Sequence, residues 1–162
     1  MFILLVAVYA CIELRELYPK GSDPREALKA WHFMLGLSVF VLVWVRLFAR
    51  LVTHTPQIIP ALATWQLYAA KIGQVCLYLL MICMPIAGWL ILSAEGKPVP
   101  FWGFTLPSLI AENKALADTI EELHETAGFV GYYLIGLHAF IGLAHHYVRK
   151  DDALSRILPN KS

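Results

Sequence analysis

Two stretches of this chain, residues 72–94 and 126–148, each run for 23 residues without a charged side chain. At 1.5 Å per residue either one makes a helix of about 35 Å, enough to cross a hydrocarbon core about 30 Å thick. A small protein cannot wrap two such rods in polar surface, because its surface is large for its volume. Composition points the same way. Hydrophobic residues make up 59% of the 162 and charged residues 15%, against roughly 25% charged in soluble domains. A net charge of +1 argues against a nucleic-acid partner, which calls for a basic face. The expectation is an all-α membrane protein: residues 1–162 form one transmembrane domain, a four-helix bundle.

The four helices are expected at about 1–17, 30–50, 72–94 and 122–148. Segment 30–49 holds a single charge, Arg46, near one end, where it can snorkel to the interface. The first segment is short: residues 1–12 are apolar, then Glu13, Arg15 and Glu16 follow. Twelve residues reach only about 18 Å. A signal peptide would show a basic start and a small-residue cleavage site, and neither is present. The expectation is a spanning helix truncated at its N-terminus. The loop 47–71 carries Pro56 and Pro60, and 95–123 carries Pro98, Pro100, Trp102 and Pro107. Asp118-x-x-Glu121 reads as a capping box that starts a short helix. Trp31, Trp65, Trp89, Trp102 and Tyr147 suit an interfacial belt. Cys11, Cys76 and Cys83 form no C-x-x-C pair and read as small buried hydrophobes. Lys and Arg are nearly balanced between the two sides, seven with the C-terminal tail and six opposite. The seven cluster more tightly at helix ends, which places the tail inside and makes helices two and four parallel.

Ionisable groups within membrane helices are uncommon and usually functional. His32 opens segment two, His124 opens segment four, His138 lies in its middle, and His145 and His146 lie near its end; His54 sits in a loop. From His124 to His138 is 14 residues, about 21 Å of rise and a return to within about 40° of the same face. That face continues with Gly128, Gly131, Ile135, Gly142 and His145. Small residues let a neighbouring helix or a flat ligand approach closely. His32 and His124 share a depth, and Gly36, one turn below His32, leaves room beside it. Two facing imidazoles about 4 Å apart at their nitrogens suit a six-coordinate haem b; zinc would need further ligands that do not converge there. The metal ligands are expected to be His32, His124 and His138. Counting down the first segment, the partner of His138 would fall just before Met1. His145 is read either as structural or as a quinone or haem-propionate contact. Arg46 and Arg50 are read either as propionate partners or as positive-inside anchors. His54 and His146 are read as structural.

The stretches at 9–15 (YACIELR), 30–36 (AWHFMLG), 56–60 (PQIIP), 123–127 (LHETA) and above all 131–150 (GYYLIGLHAFIGLAHHYVRK), with Asp151 after it, resemble the bacterial cytochrome b561 family. The resemblance covers nearly the whole chain. It implies a four-helix bundle in the bacterial inner membrane and two haem b groups, each held by two histidines. His32 and His124 would hold the outer haem and His138 one side of the inner. The family's fourth ligand lies upstream of the YACIELR-like stretch, so the inner haem is in question here. The missing piece is expected to be roughly 10–20 residues including a histidine, since a span needs about 20.

The resemblance further implies exchange with ubiquinone. The first functional expectation is a superoxide:ubiquinone oxidoreductase. An anionic substrate calls for a positive approach, for which Arg15, Lys20, Arg25, Lys29 and Lys97 are available among ten acidic residues on the same side. The alternative is a haem subunit relaying electrons between a dehydrogenase or hydrogenase partner and quinone. In that case the aromatic loop with Phe101, Trp102 and Phe104 either docks the partner or lies on the membrane interface.

Overall fold

The computed structural model describes residues 1–53 and 63–150. His54, the stretch 56–60 and the tail from Asp151 lie outside the described residues. Helix α1 (Phe2–Leu14) ends in a 3₁₀ turn, Arg15–Leu17. Helices α2 (Asp23–Val52) and α3 (Thr64–Ala94) follow, then two short strands, β1 (Val99–Phe101) and β2 (Phe104–Leu106). Helix α4 (Lys114–Ala144) closes the order and runs into a π-helical turn, His145–Arg149. Among the described residues three helices, α2, α3 and α4 with its π turn, are long and apolar enough to cross a membrane. The expected all-α membrane bundle is therefore the observed architecture, with a small hairpin added.

Each helix packs on the next in chain order. The ring of helices closes where α1 meets α4: Tyr9 and Tyr132 have ring centres 4.3 Å apart, and the Tyr9 hydroxyl donates to the Gly128 carbonyl at 3.0 Å. Helices α2 and α4 thus stand on the diagonal. Two interior clusters hold the bundle. Val39, Val43 and Met81 pack with Leu4, Leu5 and Val8 of α1, and Leu37, Leu92 and Val99 pack with Phe33 and Trp89. Many large apolar side chains point outward instead, among them Val45, Phe48, Leu51, Tyr133 and Phe140. Such a surface suits lipid as solvent.

The helices begin earlier than the apolar runs, because polar start signals lie outside the bilayer-spanning part. Ser22 is the N-cap of α2, Pro24 sits in its first turn, and Asp23 and Glu26 place negative charge there. Asn113 caps α4 by accepting from the Leu116 N–H at 3.1 Å. The expected start at Asp118 is not observed; Asp118 and Glu121 lie inside one continuous helix. Helix α3 ends in a Schellman motif: Lys97 N–H donates to Leu92 O and Gly96 N–H to Ser93 O. Gly96 takes the left-handed conformation there, φ +68°.

Arg25 ties the top of α1 to α2. It is buried at 7% exposure. Its guanidinium donates to the carbonyls of Arg15 and Tyr18 at 3.1 and 2.9 Å and to the Glu16 carboxylate at 2.9 Å. The second bond gives the Tyr18 carbonyl, past the end of the turn, a donor, and the first adds a second donor to the Arg15 carbonyl, which already accepts from the Tyr18 N–H at 3.1 Å. Arg25→Ala is expected to destabilise the protein by on the order of 1–3 kcal/mol, read as a lower unfolding midpoint in detergent. Glu16→Gln is expected to cost far less at neutral pH, because Glu16 is solvent-exposed and its pair is screened. The hydrogen bond from Arg25 holds the Glu16 carboxyl below its ordinary value of 4.5. The pair's small contribution is therefore complete above that pH and fades as pH falls through the lowered value. Equal losses in the two variants at neutral pH would contradict the carbonyl-capping role.

Candidate functional site

His32 on α2 and His124 on α4 face each other across the diagonal, with ring centres 6.4 Å apart and planes inclined at 76°. Both rings are only partly exposed. His32 Nδ1 lies 2.9 Å from the Val8 carbonyl oxygen of α1. A carbonyl only accepts, so Nδ1 carries the proton and Nε2 presents a bare lone pair. This is the tautomer that a backbone carbonyl sets in a metal-ligating histidine. His124 Nδ1 is buried with no hydrogen-bond partner. Buried polar atoms are ordinarily satisfied, so an orphan here marks a place where something else is expected.

The surroundings are small on two sides. A side chain begun at Gly36 would meet nothing within 4 Å, which leaves open space one turn from His32. On α3, Gly88 faces His124: a Cβ there would come within 3.7 Å of its Cε1. Metal–nitrogen bonds of about 2 Å each, with the depth of two imidazoles, put ring centres about 6 Å apart across one metal ion. The observed 6.4 Å fits that span. Among the described residues no group of three or more His, Cys, Asp or Glu could hold a metal ion. The donor set is therefore two opposed imidazoles beside open space, which suits a metal whose remaining ligands come from a macrocycle rather than from protein. The residues fit a haem.

The other expected site residues are placed differently. Gly128 and Gly131 face protein. A Cβ at Gly128 would sit 3.6 Å from the Met84 methyl, and one at Gly131 would run into the Tyr9 hydroxyl and Leu80. These two glycines let α1 and α3 close on α4. His138 is solvent- or lipid-exposed on α4, about 21 Å beyond His124 along the helix. Among the described residues it makes no ring contact with another histidine. Arg46 is exposed on α2 at a similar distance from His32. Arg50 donates to Gln74 at 3.0 Å. His145 and His146 lie in the π turn that ends α4, a distortion often found at functional sites. His146 Nδ1 is a second buried atom without a partner.

The expected positive approach is largely neutralised. Arg15 and Arg25 both pair with Glu16, Lys29 with Glu26, and Lys97 with Glu95. Lys20 is exposed and makes no ion pair among the described residues.

Comparison with known proteins decides the lineage. The family described as "Prokaryotic cytochrome b561" matches residues 1–160. The chain belongs to the prokaryotic cytochrome b561 family. It is 34% identical to cytochrome b561 homolog 1 of Escherichia coli K12 over 160 residues, covering 98% of this chain and 91% of that one. It is 35% identical over 161 residues to a Yersinia pestis protein named "Probable superoxide oxidase CybB", covering 99% and 90%. Cytochrome b561 homolog 2 of E. coli K12 is 33% identical over 132 residues, covering 81% and 70%. This cytochrome b561 is thus a multi-pass membrane electron-transfer protein, and membership implies that it binds haem b.

Three parts of the site were not visible in the pattern. The Val8 carbonyl carries no side-chain signal, since every residue has one. Gly88 stands on a helix without histidine. Tyr9 lies within the YACIELR-like stretch, but its role as the α1–α4 contact depends on packing. Gly131→Ala should press on the Tyr9 hydroxyl and lower stability by about 1–3 kcal/mol, measured by thermal unfolding in detergent. Combining it with Tyr9→Phe, which removes that oxygen, should recover part of the loss. Simple additivity of the two changes would contradict the contact.

Proposed function

We propose that this cytochrome b561 is a superoxide:ubiquinone oxidoreductase of the bacterial inner membrane, with its C-terminal tail on the cytoplasmic side. His32 and His124 hold one haem b, and His138 supplies one ligand of a second. The observation that carries the reading is the opposed His32–His124 pair at 6.4 Å, with His32 locked by Val8 into the tautomer that leaves Nε2 free. The printed name of the Yersinia relative supports the choice of donor.

Haem supplies reversible one-electron chemistry; the protein supplies orientation, burial and ligand field. Superoxide gives up one electron and leaves as dioxygen. Two such electrons and two protons convert ubiquinone to ubiquinol. The Val8 carbonyl fixes the His32 ring and raises its basicity as a ligand. Gly88 lets α3 close over His124 and keep water from it, and Gly36 leaves space for a planar group. Arg46, Arg50 and His145 lie at the opposite end of the bundle, where carboxylates of the second group or a quinone would meet them. Four of the five cations near the His32 end share three carboxylates, Arg15 and Arg25 both on Glu16, so the Arg15–Arg25–Glu16 cluster and Lys20 supply the local attraction superoxide feels.

The test is superoxide-driven reduction of a soluble ubiquinone by the purified protein. The reading predicts ubiquinol formation well above spontaneous dismutation, abolished by His32→Ala or His124→Ala with helical content retained. No activity in a haem-replete preparation would overturn the choice of donor and favour a relay subunit fed by a dehydrogenase or hydrogenase. His138→Ala is expected to affect only the second haem: where the protein carries two haems per polypeptide, the variant carries one and keeps the His32–His124 spectrum. Two haems retained in the variant would overturn His138 as a ligand.

A further inference from the structure

We infer that the β1–β2 hairpin is a membrane-inserted element, seated in the lipid leaflet on its own side of the bilayer and presenting Trp102 and Phe104 to acyl chains. The connection that contains it holds no charge from residue 98 to residue 111. The hairpin runs down the outside of α2 rather than away from the bundle. Val99 is buried against Leu37 and Leu92, and the Trp102 indole N–H donates to the Ser38 hydroxyl at 3.0 Å. Ser38 lies nine residues past Lys29, the last charge of α2 before Arg46. That puts the hairpin tip about 13 Å along the helix beyond Lys29, alongside the apolar part of α2.

The hairpin is chemically prepared for such a place. Its turn is Trp102–Gly103, with Phe101 opposite Phe104 and Pro100 opposite Thr105. Both turn residues have positive φ, +45° and +89°, the type I′ geometry of a two-residue hairpin. In an antiparallel ladder the closing pair is hydrogen-bonded and the next pair directs its backbone groups outward. The outward position on β1 is Pro100, which has no N–H to leave unsatisfied in lipid. The Trp102 side chain has one polar atom, and the Ser38 hydroxyl accepts from it.

The apolar remainder faces away from protein: Trp102 is 51% exposed, Phe104 74%, and Trp31, in edge contact with Trp102 at 5.7 Å between ring centres, 44%. A tryptophan at φ +45° is strained in a position that glycine takes freely. Burying aromatic surface of this size in lipid offsets that strain, whereas water would not.

The test uses the full protein in lipid nanodiscs, with Cys11, Cys76 and Cys83 replaced by Ala and a nitroxide at Phe104→Cys. Collisions with dissolved oxygen, which partitions into lipid, are expected to exceed collisions with a water-soluble nickel chelate several-fold. Leu79→Cys on the α3 surface should behave likewise, and Lys97→Cys should show the reverse. Nickel collisions dominating at position 104 would overturn the inference in favour of a water-exposed hairpin. Low collision rates with both would overturn it in favour of a protein partner covering the tip. In a second variant Trp102 is the sole tryptophan, the others changed to Phe. Quenching of its emission by phospholipids brominated on their acyl chains supports insertion, and quenching by aqueous iodide alone contradicts it.

Discussion

The His32–Val8 hydrogen bond joins three levels of this structure. It reaches from a side chain of α2 to the backbone of α1, so it can form only when the first helix is docked at one depth. It decides which imidazole nitrogen is free. It also fixes the ring whose centre lies 6.4 Å from that of His124 across the bundle diagonal. The surrounding contacts keep α1 at that depth. Arg25 clamps its upper end to α2, Tyr9 presses against α4 where Gly128 and Gly131 make room, and Leu4, Leu5 and Val8 fill the space against Val39 and Val43.

Much of this was legible in the residues. The charge-free runs required membrane helices, and histidines placed inside them required a reason. Helical spacing fixes depth, which put His32 and His124 at one level, and the structure brings their rings to 6.4 Å between centres. The glycine stripe on α4 was harder. Periodicity puts Gly128, Gly131 and Gly142 on one face, but does not say what each one meets. The structure separates them: Gly128 and Gly131 admit protein side chains, while Gly142 meets nothing within 4 Å. A stripe of small residues reports close approach and leaves the identity of what approaches to tertiary packing. The start of α4 shows the same limit. Asp118 and Glu121 have capping-box spacing, yet Asn113 caps the helix five residues earlier, and only the backbone path distinguishes the two.

The polar end of the bundle also depends on arrangement more than on composition. Five cations near the His32 end looked available to guide an anion. In the fold Arg15 and Arg25 share Glu16, Lys29 and Lys97 each take a nearby glutamate, and Arg25 is spent on main-chain carbonyls. Any attraction of a small anion must then come from local geometry, because these four cations share three carboxylates and little net charge is left to act at a distance. The connection 95–113 departs further from what a loop would be. It is stitched to the end of α3, where Trp89 donates to the Pro107 carbonyl and Leu109 N–H donates to the Ser93 hydroxyl, and it hangs its hairpin along α2.

The central claim is that His32 and His124 together ligate one haem iron across the diagonal. Low-temperature electron paramagnetic resonance of the oxidised protein tests it most directly, because the ferric spin state reports the axial ligands. Two imidazole ligands predict a low-spin signal, and planes inclined as steeply as these predict strong anisotropy in it. The signal should be lost on replacing either histidine with alanine. A high-spin ferric signal in the unaltered protein, unchanged by His32→Ala and by His124→Ala, would contradict the account.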